Sequence, residues 1–207
     1  MWKSEAALNI VFDLGGVVVR WEPEILIADA FDDPEVRRVV HSEFVGHPDW
    51  LELDRGTLAP AAAVARASER TGLSHFELNH FLRRVPSGLT PITDTVELLL
   101  RLKAQGHSLY CLSNMHFASI DYLERAYDFF DVFTGKVISC RLNLCKPEPK
   151  IYSYLLETYG LNAADTVFID DVEVNLTTAQ QMGIQTIRFE NPVQCTNELR
   201  AMGCIPE

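Results

Sequence analysis

Four short stretches of the chain carry oxygen and nitrogen groups at places where phosphate chemistry could use them. Asp13 follows the apolar run 8–12, Ser113 and Asn114 follow the run 108–112, and Asp170 and Asp171 follow the run 166–169. Lys146 stands before Pro147 in a polar loop that opens a helix-like segment. Clustered carboxylates are hard oxygen donors suited to Mg²⁺, which keeps several waters and binds through one or two carboxylates plus a substrate phosphate. Lysine brings a compact positive charge to a phosphate oxygen. Ser and Asn at a strand-to-helix turn offer hydroxyl, amide and backbone N–H donors to the remaining oxygens. A carboxylate can also take a phosphoryl group itself, as an aspartyl phosphate. Singly, each residue has a plainer reading: Asp13 as a turn former, Ser113-Asn114 as a helix cap, Lys146 as a solvated lysine. The Asp170-Asp171 pair resists that treatment, because adjacent acids after a buried strand repel unless a cation compensates them.

For these residues to act together, their apolar runs must be strands ending at one edge, since ligands of open α/β sheets collect beyond the strands' carboxyl ends. The runs 8–12, 108–112, 166–169 and 185–189 have the composition of buried strands and stop at turn residues. Helix-like stretches at 94–105, 149–159 and 172–182 are closed by Gly106, Gly160 and Gly183. Strand, helix, glycine and strand in repeated order predict a doubly wound, Rossmann-like α/β fold with a parallel sheet. Between residues 21 and 86 strand runs vanish and helix formers take over at 34–44, 59–70 and 74–84. The expected organisation is a core of residues 1–20 and 87–207, with a helical cap, 21–86, inserted after the first strand. Pro86-Ser87-Gly88 and Thr90-Pro91 are expected to punctuate the return to the sheet.

Composition bounds the function classes. At 207 residues and 47% apolar, the chain suits one α/β domain with a smaller insertion. Its net charge of −11 and lack of any basic run argue against a nucleic-acid surface. A small phosphorylated metabolite can still bind where a metal ion and a lysine sit locally. The five cysteines have no C-x-x-C spacing and read as reduced thiols, Cys111 and Cys140 within the core. His41, His75, His80, His107 and His116 show no metal-site spacing and read as surface or capping residues. With neither a signal pattern nor a run approaching ~18 apolar residues, the expectation is a cytoplasmic protein without a membrane partner, a monomer or weak homodimer.

The motifs together resemble the haloacid-dehalogenase-like hydrolase superfamily over nearly the whole chain. Asp13 in VFDLGGVVV resembles the nucleophile motif, Ser113 in LYCLSN the second motif, Lys146 in CKPEPKIY the third, and Asp170-Asp171 in VFIDDVEVN the acidic fourth. The helical cap resembles the family's small-cap subgroup, which includes bacterial α-glucose-1-phosphate phosphatases. The resemblance implies a Mg²⁺-dependent phosphatase acting on a small phosphorylated metabolite, a sugar phosphate foremost. Asp13 would attack phosphorus. The metal would be held by the Asp13 carboxylate, the Gly15 carbonyl and Asp170, with Asp171 nearby as an outer-shell or charge-balancing group, while Ser113, Asn114 and Lys146 hold phosphoryl oxygens.

One position departs from the family pattern Asp-x-Asp, whose second acid protonates the leaving group and later activates water: here it is Gly15. The resemblance leaves the general acid open among Glu52, Asp54, Arg55 and bulk water. Trp21, His47, Trp50 and Arg55 are candidates to face the leaving group, against a plainer reading as cap packing and a surface ion pair. A 2-haloacid dehalogenase shares the fold and the Asp nucleophile, but the Asp170-Asp171 pair counts against it. A non-catalytic phosphate- or metal-binding protein is the other alternative. A phosphoacceptor receiver domain is disfavoured by motif order and by the cap.

Overall fold

The computed structural model describes residues 8–205. At its centre lie five parallel strands, β1 (Asn9–Phe12), β2 (Ser108–Ser113), β3 (Gly135–Ile138), β4 (Thr166–Asp170) and β5 (Gln185–Arg188), in the spatial order β3-β2-β1-β4-β5. Helices α1 (Pro23–Ala28), α2 (Pro34–Val40), α3 (Pro48–Arg55), α4 (Pro60–Thr71) and α5 (His75–Gly88) follow β1 without an intervening strand. The sheet is flanked by α6 (Thr93–Ala104), α7 (Phe117–Ala126), α8 (Ser139–Leu142), α9 (Pro149–Tyr159), α10 (Glu173–Gln181) and α11 (Pro192–Ala201).

Both faces of the sheet are covered, which is why its strands read as continuous apolar runs rather than alternating ones. Ile10, Phe12, Leu109, Cys111, Val167 and Ile169 face one way and pack with Leu98 and Leu102 of α6, Leu123 of α7 and Leu199 of α11. Val11, Tyr110, Leu112 and Phe168 face the other way, onto Ile151, Tyr152 and Leu155 of α9 and Leu176 of α10. The edge strand β3, Gly-Lys-Val-Ile, was not anticipated. Four residues with a glycine and a lysine carry too little apolar signal, and pairing with Tyr110–Ser113 of β2 supplies what propensity does not.

Residues 23–88 gather a separate apolar cluster around Phe44, Trp50, Leu53, Val64, Leu78 and Phe81. The Phe44 ring packs edge-to-face with Trp50 and Phe81 at centroid distances of 5.5 and 6.1 Å. Burying each such ring contributes about 1.5–3 kcal/mol. Helix starts follow local chemistry. Ser74 accepts the Glu77 N–H while the Glu77 carboxylate accepts the Ser74 N–H at 2.9 Å, a reciprocal cap written in the sequence as Ser-x-x-Glu. The stretch 34–44 divides into α2 and a wide π-type turn, His41–Val45. Pro86, Ser87 and Gly88, expected outside any helix, form the last turn of α5 instead, where the Ser87 hydroxyl donates to the Arg84 carbonyl at 2.9 Å.

The five cysteines are buried and unpaired. No helix among the described residues is long and apolar enough to cross a membrane.

Candidate active site

Strand β1 pairs with β2 on one side and β4 on the other, with Phe12 opposite both Cys111 and Ile169. That register carries Asp13, Ser113 and Asp170 to one edge of the sheet, although the chain separates them widely. The Asp13 N–H donates to the Ile169 carbonyl at 2.9 Å, and the Asp13 carboxylate accepts the Leu14 N–H at 2.7 Å. Lys146 arrives from the loop before α9. Its Nζ lies 2.9 Å from Asp13 Oδ1 and 2.7 Å from Asp170 Oδ2.

The lysine's backbone is clamped by Asn114, whose Oδ1 accepts the Lys146 N–H at 2.8 Å and whose Nδ2 donates to the Lys146 carbonyl at 2.9 Å. Asn114 thereby fixes the Lys146 backbone while still lining the cavity. Ser113 Oγ is buried beside the Asp13 carboxylate, whose pKa it helps to lower, yet among the described residues it makes no hydrogen bond of normal length, and Ser113 lines the cavity above Asp13. An unmet buried hydroxyl costs about 1–3 kcal/mol, and a phosphoryl oxygen bound there would satisfy it.

Asp13, Asp170 and Asp171 offer oxygens that all lie within 4.8 Å of one another. Set against Lys146, three carboxylates and one ammonium leave a formal charge of −2, which a divalent hard cation matches. Burial pushes the Asp13 carboxyl up to about 7; Lys146 opposes the rise and Asp170 adds to it. Asp170 is the most committed acid of the three: Lys146 Nζ, Asn175 Nδ2 and the Val172 N–H donate to its two oxygens. Asp171 presents an exposed carboxylate beside it. Gly15 forms a β-bridge to Val19 through its neighbours' peptide groups, Leu14 O and Gly16 N, leaving its own carbonyl outside that pair of bonds. Gly16 has φ +77°, and a Cβ there would come within 2.5 Å of the Asp171 carboxylate, so the loop and the acid need glycine at this place.

Above these groups lies a cavity of about 250 Å³. Its floor is Asp13, Gly15, Ser113, Asn114, Lys146 and Asp171; its walls include Trp21, Val45, Trp50, Val85, Leu89, Met115 and Val172. Of the expected cap residues, Trp21 and Trp50 reach the cavity, and their rings pack at 5.9 Å. Arg55 and His47 do not. Arg55 pairs with Glu52 of its own helix and with Glu148 just before α9, making a seam between the helices that follow β1 and the sheet with its flanking helices. His47 caps α3, its Nδ1 accepting the Asp49 N–H at 3.1 Å.

Three polar residues at the cavity, Asn175, His116 and Ser119, are not among those the sequence assigns to it. Asn175 sits one turn into α10, inside the quoted acidic motif, and a polar side chain five residues after Asp170 on the helix that begins there was a usable signal. His116 is buried at the start of α7, as a cap to Ser119, and burial pushes its imidazole down to about 4, so it is neutral at pH 7. Ser119 shares that turn and carried no separate signal.

Comparisons with known proteins bear on the family and the fold. The chain is 27% identical over 195 residues to sesquiterpene phosphatase astK of Aspergillus oryzae, covering 94% of this chain and 96% of that one. It superposes with a TM-score of 0.72 on a HAD family enzyme from Bacteroides thetaiotaomicron, solved with magnesium and inorganic phosphate, which is 26% identical and covered to 95%, against 89% of this chain. L-2-haloacid dehalogenase from Xanthobacter autotrophicus shares the fold at a TM-score of 0.65 and 17% identity, over 97% of this chain and 85% of that one. The profile of haloacid dehalogenase-like hydrolases matches residues 9–183, most of the chain, and the protein belongs to that family of enzymes.

Proposed function

We propose that this hydrolase is a magnesium-dependent phosphatase that removes phosphate from a small phosphorylated metabolite through an aspartyl phosphate on Asp13. The carrying observation is the floor of the cavity, where the Asp13 carboxylate lies 2.9 Å from Lys146 Nζ and the buried Ser113 hydroxyl beside it makes no hydrogen bond of normal length among the described residues. Lys146 has three N–H bonds and spends two on Asp13 and Asp170, so one remains for a phosphoryl oxygen. Ser113 takes a second oxygen. Asp13, the Gly15 carbonyl and Asp170 would hold magnesium, with Asp171 balancing charge, and the bound ion would neutralise the phosphoryl group as its charge redistributes. The HAD family enzyme solved with magnesium and inorganic phosphate supports this reading over metal-free attack on a carbon–halogen bond.

The helical segment 21–86 acts as the cap that selects the leaving group. A sugar would need several fixed polar partners for its hydroxyls, and the walls formed by Trp21, Val45, Trp50, Val85, Leu89 and Met115 offer few. The walls therefore favour a monoester of an apolar alcohol over the sugar phosphate implied by the subgroup resemblance, and a sesquiterpene phosphatase among the relatives supports that choice.

The test is phosphate release from a panel of sugar, aryl and isoprenoid monophosphates, with Mg²⁺ and with chelator, for wild type and Asp13→Asn. Magnesium-dependent release that falls at least ~10³-fold in the variant is expected. Halide release from 2-haloacids would favour the dehalogenase, and silence on every substrate the non-catalytic reading.

A further inference from the structure

Gly15 leaves the usual place of the leaving-group acid without a side chain, and space is not the reason. A Cβ built there would meet only the Cβ of Trp21, at 3.7 Å, and φ is not positive. Expulsion of an alkoxide still needs a proton, and the attacking water must still lose one. The titratable side chains lining the cavity are Asp13, Lys146 and Asp171 of the floor, His116, and Asp54 from the cap. Both ring nitrogens of His116 are engaged with Ser119, Nδ1 by its N–H and Nε2 by its hydroxyl at 3.0 Å.

Asp54 is held over the cavity by the end of α3. Its backbone carbonyl accepts the Ser139 hydroxyl, and the next carbonyl, of Arg55, accepts Asn143 Nδ2 at 3.0 Å, so core side chains meet carbonyls that a helix end leaves open. Gly56 then turns the chain at φ +80°, so close to the core that a Cβ would come within 2.6 Å of the Cys140 carbonyl. No lysine or arginine pairs with the Asp54 carboxyl among the described residues, because Arg55 beside it is taken by Glu52 and Glu148.

We propose that Asp54, delivered across the cavity by the cap, is the general acid for the departing alcohol and the general base for the water that follows. The inference rests on the phosphatase reading of the Asp13 site. In the first step an Asp13 oxygen bonds to phosphorus, the bond from phosphorus to the ester oxygen breaks, and the Asp54 proton passes to that oxygen, releasing a neutral alcohol. In the second step the Asp54 carboxylate takes a proton from water, whose oxygen bonds to phosphorus as the bond to Asp13 breaks. Inorganic phosphate leaves, Asp13 is a carboxylate again and Asp54 has its proton back. Burial, with a further push from Asp13, raises the Asp54 carboxyl to about 7 against the lowering effect of the His116 N–H, so acid and base forms coexist near neutrality.

The experiment compares wild type with Asp54→Asn on two monoesters in Mg²⁺, one alkyl and one 4-nitrophenyl. The variant is expected to lose roughly 10²–10⁴-fold in kcat/KM on the alkyl ester and far less on the aryl ester, whose leaving group needs no proton. With the aryl ester it should also show a burst of nitrophenol near one per enzyme, as the phosphoenzyme waits for a base. Gly15→Asp in the Asp54→Asn background should restore alkyl-ester turnover, which a folding defect would not allow. Equal losses on both esters without a burst, or no loss, would overturn the assignment of Asp54 while leaving the phosphatase standing. A wild type that releases no phosphate from any monoester would overturn both.

Discussion

The two sides of the cavity are built from opposite materials. The sheet side is charged and fixed: Asp170 and Lys146 have almost no exposed surface, and each is hydrogen-bonded to neighbours from other strands or loops. The cap side is aromatic and aliphatic, and its one carboxyl at the cavity, Asp54, pairs with no cation among the described residues. A phosphoryl group is the same in every monoester, so the groups that handle it can be locked in place. On the proposed reading the alcohol differs between substrates, and the side that would meet it is made of contacts whose shape depends on how five helices pack.

Breaking the sheet side should have the largest effect. Lys146→Met leaves the buried carboxylates of Asp13 and Asp170 facing each other without their shared cation. The expected loss is about 3–5 kcal/mol in urea unfolding, with more of the stability recovered by Mg²⁺ in the variant than magnesium adds to wild type. If magnesium protects both proteins equally, the carboxylates are not its site. At the seam between the two sides, Gly56→Ala asks a residue with a Cβ to hold φ +80° against the Cys140 backbone. A loss of about 2 kcal/mol is expected, together with a lower kcat as α3 and Asp54 are pushed off the core. A fall in stability with kcat unchanged would show that the seam does not position chemistry. The smallest effect should come from the wall: Trp21→Leu is expected to raise KM for an apolar ester about 5-fold, near 1 kcal/mol, while turnover of a phosphate with a minimal alcohol stays as it was.

The same contrast explains what the sequence made legible. Asp13, Ser113 and Asp170 end apolar runs, and a parallel sheet brings strand ends to one edge whatever their separation along the chain, so their meeting followed from the runs alone. Lys146 needed the motif around it. The partners of these residues were harder to see: Asn114 turns its amide to the Lys146 backbone, and Asn175 reaches Asp170 from a helix, through orientations that no spacing fixes in advance. The cap shows the limit more sharply. Trp50, Asp54 and Arg55 share α3, yet the first two reach the cavity and Arg55 turns to Glu148 in the seam, a division set by how α3 docks on the core. β3 escaped notice because four residues at a sheet edge owe their conformation to β2 more than to themselves.

The five buried cysteines give the protein a set of internal clocks. Thiol reagents attack the thiolate, and burial raises Cys145 and Cys195 to about 12 and Cys140 to about 11, so modification must wait for water to reach them. Cys145 lies under α3, its sulfur 3.9 Å from the Leu51 carbonyl, and Cys140 abuts Gly56, whereas Cys111 is in the middle of the sheet. Labelling at Cys140 and Cys145 thus times the lifting of the cap and labelling at Cys111 times the unravelling of the whole sheet, two rates readable from one reaction on the unmutated protein.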